Sequence, residues 1–185
     1  MIIPDSKQAL VVWLRHLYDN QGLAPYGECI SQRDHALQCA SLARDAGSDG
    51  NLIVAALLHD IGHLLEDIDG RVMNRHDSYG ADILSRWFNE GVTEPVRLHA
   101  QAKRYLCTVE PSYQQGLSEA SRISLQHQGG LMSEQELRAY ESNPASEAAT
   151  RLRRWDDAAK DIQWSGGCFS EWTGYIEEAL GAARA

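Results

Sequence analysis

The run Leu57-Leu58-His59-Asp60-Ile61-Gly62-His63 sets an imidazole and a carboxylate at the end of an apolar stretch that begins at Ala55. A helix apolar on all sides is a buried helix. His59 and Asp60 therefore sit where a buried helix meets a glycine. Burying both groups is unfavourable unless something compensates, and a metal cation is an effective compensator. Imidazole with carboxylate suits iron, manganese or similar divalent ions. An isolated His-Asp dipeptide is more often a hydrogen-bonded helix end, so other donors must support the metal reading. His63 is four residues beyond His59 and shares its helical face. His35, His76 and His99 lie on either side of this run, and Asp156 with its neighbour Asp157 follows much later.

These groups have to be positioned by helices, because apolar residues recur at helical spacing and strand alternation is absent over any useful length. The pattern predicts helices over about 6–18, 32–46 and 52–59, the third breaking at Gly62, and then over about 77–88 and 93–106. The last of these opens with Thr93, Glu94 and Pro95 in its first turn. Ser118 caps a helix that ends at Gly129–Gly130, and the Ser133/Glu136 spacing predicts a capping box and a helix to about 141. Pro144 opens another helix, and a final one covers about 170–183. No repeat or composition shift divides the 185 residues. The expectation is one all-α domain over 1–185, with a core near 23–165 and a C-terminal helix.

Composition narrows the function classes. Hydrophobic residues make up 43% and charged residues 23%, ordinary for a globular chain. The net charge is -9 and the pI about 5.2, with Arg151, Arg153 and Arg154 as the densest basic cluster. That argues against nucleic acid and membrane surfaces as partners. Four cysteines, at 29, 39, 107 and 168, include no CxxC pair and read as free thiols in a reducing compartment. With no signal-peptide pattern at MIIPDSKQ, a cytoplasmic location is expected. Trp13, Trp87 and Trp155 read as core. Trp164 and Trp172, flanking Gly166–Gly167, read as core in preference to a cation-binding aromatic wall. His16 and His127 receive no role.

The order His35 … His59-Asp60 … Asp156 resembles the ligand pattern of the HD superfamily of helical metalloproteins, with Asp156 preferred to Asp157 because a Trp-Asp pair stands there in the resembling proteins. Within that frame His76 and His99 raise the donor count to six. Six donors, with Asp60 bridging through its two oxygens, serve two metals: His35, His59 and Asp156 hold one ion, His76 and His99 the other. The segments Gly27-Glu28 … Gln32 … His35-Ala36-Leu37-Gln38-Cys39-Ala40, Ala55 to His63, His99-Ala100-Gln101-Ala102-Lys103-Arg104-Tyr105-Leu106, and Ala120-Ser121-Arg122 … Gln128-Gly129-Gly130 are similar to PhnZ-type oxygenases. These are HD-fold di-iron enzymes that cleave carbon–phosphorus bonds. The similarity runs from about 23 to 165.

The resemblance implies an all-α HD bundle holding a mixed-valence Fe(II)/Fe(III) pair, with O2 as co-substrate and a small organophosphonate as substrate. A 1-hydroxyphosphonate, such as 2-amino-1-hydroxyethylphosphonate or an N-methylated analogue, would yield a carboxylic acid and phosphate. Lys103, one turn after His99, would anchor the phosphonate, with Ser121 and Gln128 beside it. His63 would contact substrate or act as a base, and Glu28 would recognise an amino group. Tyr26 would gate an iron position, although here it directly precedes Gly27-Glu28, with Pro25 where the family tyrosine is expected. Two other classes share the ligand set: a metal-dependent phosphohydrolase of small phosphate esters or nucleotides, and a binding domain with a vestigial metal site.

Overall fold

The computed structural model describes residues 4–26, 30–69 and 75–182. Among them the chain forms helices α1 (Lys7–Asn20), α2 (Gln32–Asp45), α3 (Gly50–Leu58), α4 (Ile61–Asp69), α5 (His76–Leu84) and α6 (Glu90–Val109). These are followed by α7 (Pro111–Gly116), α8 (Glu119–His127), α9 (Glu134–Glu141), α10 (Ser146–Ala158) and α11 (Thr173–Ala182), with short 3-10 turns at Gln21–Leu23 and Phe169–Trp172. No strand occurs among the described residues.

The helix α3 is the axis of the molecule. Every residue from Leu52 to Leu58 is buried, because α2, α6, α10 and α11 pack around it. Asp49 starts it by accepting from the Leu52 N–H at 3.1 Å. Each buried leucine contributes roughly 1.5–3 kcal/mol, and truncating one costs about 2–5 kcal/mol. The N- and C-terminal elements close over the same core: Tyr18 stacks on Phe169 at 4.8 Å and donates to the Leu57 carbonyl at 3.0 Å. Trp13 and Trp172 are buried there, and Trp87, Trp155 and Trp164 pack against it. All five tryptophans are thus core residues, as expected.

Several expected elements stand: the Ser118-capped helix, positive φ at Gly129 and Gly130, and the complete Ser133/Glu136 capping box. One boundary is corrected with consequence for the site. Gly62 does not break the chain but lies inside α4. A Cβ on Gly62 would lie 2.1 Å from the His76 carbonyl oxygen, and one on Gly80 would lie 3.1 Å from the Gly62 nitrogen. The two glycines let α4 and α5 touch backbone to backbone, which brings His76 to Asp60. The helix α6 starts at Glu90 rather than Thr93, since Asn89 caps it by accepting from Gly91 N–H at 2.9 Å. The short α7 was not anticipated. The helix expected over 77–88 ends at Leu84.

Candidate metal centre

His35 on α2, His59 at the end of α3 and Asp156 on α10 are all buried and converge. The His35 Nε2 lies 3.3 Å from His59 Nε2 and 3.4 Å from Asp156 Oδ1. On the opposite side His76, at the start of α5, and His99, in the middle of α6, bring their Nε2 atoms to 3.1 Å. Asp60 stands between the two groups. Its Oδ2 is 3.3 Å from His59 Nε2 and 3.7 Å from His35 Nε2, while its Oδ1 is 3.6 Å from His99 Nε2 and 3.7 Å from His76 Nε2. One carboxylate thus addresses both groups, one oxygen each.

The donor set fits cations. A carbonyl can only accept, so Nδ1 carries the hydrogen in three rings: His35 donates to Ala159 O at 2.8 Å, His59 to Ala56 O at 2.9 Å, and His99 to Val96 O at 2.7 Å. Their Nε2 lone pairs then face one another across gaps that need a proton or a cation. Ligands in adjacent positions on an ion with bonds of about 2.1 Å sit about 3 Å apart, close to what these rings show. Fixing the far ring nitrogen on a carbonyl is the usual way a protein orients a ligating histidine. Burial pushes the His99 pKa down to about 4, and burial with the His63 charge pushes His76 down to about 3. Burial acts the same way on His59, but Asp60 and Cys39 outweigh it and hold its pKa well above the usual value. Burial would raise the Asp60 and Asp156 carboxyls, but the adjoining histidines and, for Asp156, Arg153 first of all, hold both well below the ordinary range.

A cavity of about 290 Å³ opens onto the centre, lined by Tyr26, Asp60, His63, His76, His99, Lys103, Ser121, Gln128 and Asp156 among others. It therefore gathers the expected site residues apart from the deeper His35 and His59, and apart from Glu28, which lies outside the described residues. His63 stacks on His76 with ring centroids 3.9 Å apart. Tyr26 stacks on His35 at 3.8 Å and donates to Asp156 Oδ1 at 3.3 Å. Burial, then the Asp156 charge, raises its pKa well above that of a free phenol, so it stays a donor. Lys103 is only 3% exposed, and its Nζ donates at 2.6 Å to the Ser124 hydroxyl; among the described residues no carboxylate lies within salt-bridge distance of it. Burial, with Arg153 nearby, lowers its pKa to about 8.

Sequence reasoning missed four groups on this wall: Ser124, His127, Arg153 and Lys160. Ser124 was detectable, one helical turn past Ser121. Arg153 was counted only as part of a basic cluster, yet it is buried and donates to Asp156 Oδ2 at 2.7 Å. It also pairs with Asp157, which accepts from Tyr113 as well. Asp156 therefore faces the centre and Asp157 faces away from it.

The HD domain model matches residues 33–157. Over 156 residues the chain is 44% identical to a hydroxymethylphosphonate dioxygenase of Gimesia maris, covering 81% of this chain and 78% of that one. It is 38% identical over 157 residues to a 1-hydroxy-2-(trimethylamino)ethylphosphonate dioxygenase (glycine-betaine-forming) of Leisingera caerulea, covering 82% and 80%. An uncharacterized protein of Acanthamoeba polyphaga mimivirus is 35% identical over 153 residues, covering 78% and 70%. The chain belongs to the HD-domain family, in its PhnZ-type branch. In this HD domain the matched span carries His35, the His59-Asp60 pair, His76, His99 and Asp156. Tyr26, and Ala159 whose carbonyl braces His35, lie just beyond its two ends. Among the described residues no helix is long and apolar enough to cross a membrane.

Proposed function

We propose that this chain oxidatively cleaves the carbon–phosphorus bond of a 1-hydroxyphosphonate, RCH(OH)PO3H2 + O2 giving RCOOH + H3PO4. The observation that carries the reading is Lys103: a buried ammonium beside the two donor groups, hydrogen-bonded to a hydroxyl and, among the described residues, in no salt bridge with a carboxylate. Such a cation is stabilised by an anion brought into the same cavity. The printed activities of the 44% and 38% relatives support the same substrate class.

The two ions are read as iron, held by His35, His59 and Asp156 on one side and by His76 and His99 on the other, with Asp60 shared. A ferrous–ferric pair supplies the redox chemistry with O2 and a Lewis-acidic seat for the substrate's oxygens. The protein's part is positioning and charge. Lys103 neutralises the phosphonate, with Ser121, Ser124 and Gln128 placed on the same wall to orient its oxygens. His63 takes the proton of the C1 hydroxyl. The Tyr26 hydroxyl holds Asp156, and its ring covers His35 until substrate arrives. Glu28 would favour an amine-bearing substituent, whereas hydroxymethylphosphonate, named for the Gimesia relative, has none. Free Cys39, Cys107 and Cys168 accord with a reducing, cytoplasmic setting.

The test is anaerobic purification, an iron count per chain, and oxygen uptake with hydroxymethylphosphonate, 2-amino-1-hydroxyethylphosphonate and its trimethylated analogue. Oxygen consumption matched by phosphate release is expected with at least one of them. Rapid hydrolysis of phosphate esters with no oxygen uptake on any phosphonate would replace this reading with a phosphohydrolase.

A further inference from the structure

The histidines of the centre are braced in two different ways. His59 and His99 donate from Nδ1 to carbonyls three residues back on their own chain segments. His35 instead donates to Ala159, 124 residues away, in the non-helical segment that follows α10. The Ala159 N–H bonds back to Trp155 O at 2.8 Å, so α10 holds one side of this residue, and the chain beyond it needs a second hold to keep the carbonyl against the ring. Gln38, one turn beyond His35 on α2, is buried and makes two opposed hydrogen bonds with the backbone of Asp161. Its Nε2 donates to the Asp161 carbonyl at 3.1 Å, and its Oε1 accepts from the Asp161 N–H at 2.9 Å. A side-chain amide that copies a backbone ladder in this way satisfies both groups and fixes the register of the segment it binds.

We infer that Gln38 is a positioning residue for His35: by clamping Asp161 it presses the Ala159 carbonyl onto His35 Nδ1 and so keeps the Nε2 lone pair in the donor group. The inference rests on the two-ion reading above. Gln38 is not among the residues lining the cavity, and its influence should reach only the His35 group, since His59 and His99 are braced within their own segments and His76 lies on α5, away from the clamped segment. Removing the partner that orients a ligating histidine weakens metal affinity about 10–100-fold.

The test uses the full, iron-loaded chain and a ferrous chelator, under anaerobic conditions. The unmodified chain should release two ions. Gln38→Glu keeps the size but sets a carboxylate oxygen against the Asp161 carbonyl, and Gln38→Met removes both bonds. In either variant one ion should be lost at about 10–100-fold lower chelator concentration, with the other unmoved. The effect should persist in a His99→Ala background and vanish in a His35→Ala background. Asp161→Ala should leave both release steps unmoved, because it removes only the bond from Gln163 N–H to the Asp161 carboxylate and spares the backbone groups that Gln38 holds. Equal weakening of both ions, an unaltered release profile, or the same weakening in the His35→Ala background overturns the proposal. An unmodified chain that holds no iron removes the two-ion reading, and this inference with it. If Gln38→Glu does not fold, Gln38→Met decides by the same criteria.

Discussion

The two halves of the centre are built differently. The His35–His59–Asp156 group is buried, reaches the cavity only through Asp156, and has the Tyr26 ring stacked over His35. The His76–His99 group borders the cavity directly, with His76 partly exposed and Lys103 one turn from His99. A closed half that holds and an open half that meets solutes is a division of labour, and it follows from which helices supply each ligand. The closed half comes from α2, α3 and α10, which pack on one another. The open half comes from α5 and α6, and it is the close approach of α5 to α4, through Gly62 and Gly80, that carries His76 to Asp60.

Asp60 is the element the halves share, so its loss should have the largest effect. Asp60→Ala is expected to lose both ions and to reduce turnover by more than the roughly 10–100-fold typical of a ligand's supporting partner. Metal analysis decides it; two retained ions would dissolve the link between the halves. Next, His35→Ala and His99→Ala should each leave one ion, held in opposite halves. Iron counts near two in either variant would show that the assignment of ligands to halves is wrong.

Lys103 belongs to the open half alone. Lys103→Met should lower kcat/KM about 10–100-fold, from the roughly 1.5–3 kcal/mol of a hydrogen bond to a charged group, and leave the iron count at two. The anion needs the charged ammonium, whose pKa is lowered to about 8. In the unmodified chain kcat/KM should therefore fall as pH rises through about 8, and this limb should be missing in the variant. A limb that survives there belongs to another group.

The smallest effect is a proton balance. Asp60 keeps His59 protonated in the ion-free chain, whereas His76 and His99, with pKa values pushed to about 3 and 4, are neutral at pH 7. Ferrous binding in the closed half should therefore displace more protons than binding in the open half, where about none is displaced. Calorimetry of the His99→Ala and His35→Ala chains in buffers of different ionisation enthalpy measures each half separately. Equal release from the two would erase this difference.

The six donors were legible because the order His35 … His59-Asp60 … Asp156 resembles the HD pattern, and His76 and His99 complete the set only within that frame; taken singly, each of those two histidines reads as an ordinary helix residue. The partition of Asp60 between two groups was also readable, given four histidines and its two oxygens. The support was less so. Gly62 looks like a helix breaker because glycine disfavours helices by about 1 kcal/mol, yet here the need for backbone contact with His76 decides. Pro95 misled the start of α6, because it suits a first turn opened by Thr93 yet lies inside the helix that Asn89 caps. Arg153, His127 and Lys160 are ordinary surface residue types, and only the packing of α8 and α10 against α6 turns them toward the cavity. The Gln38 clamp joins positions 123 apart, a relation that no local pattern encodes.

A crystal of the anaerobically purified chain, with anomalous data collected on both sides of the iron absorption edge, addresses the shared carboxylate directly. Two iron peaks should flank Asp60, one on the Oδ2 side beside His35 and His59, the other on the Oδ1 side beside His76 and His99. A single peak, or an Asp60 side chain turned away from both histidine pairs, would contradict the account.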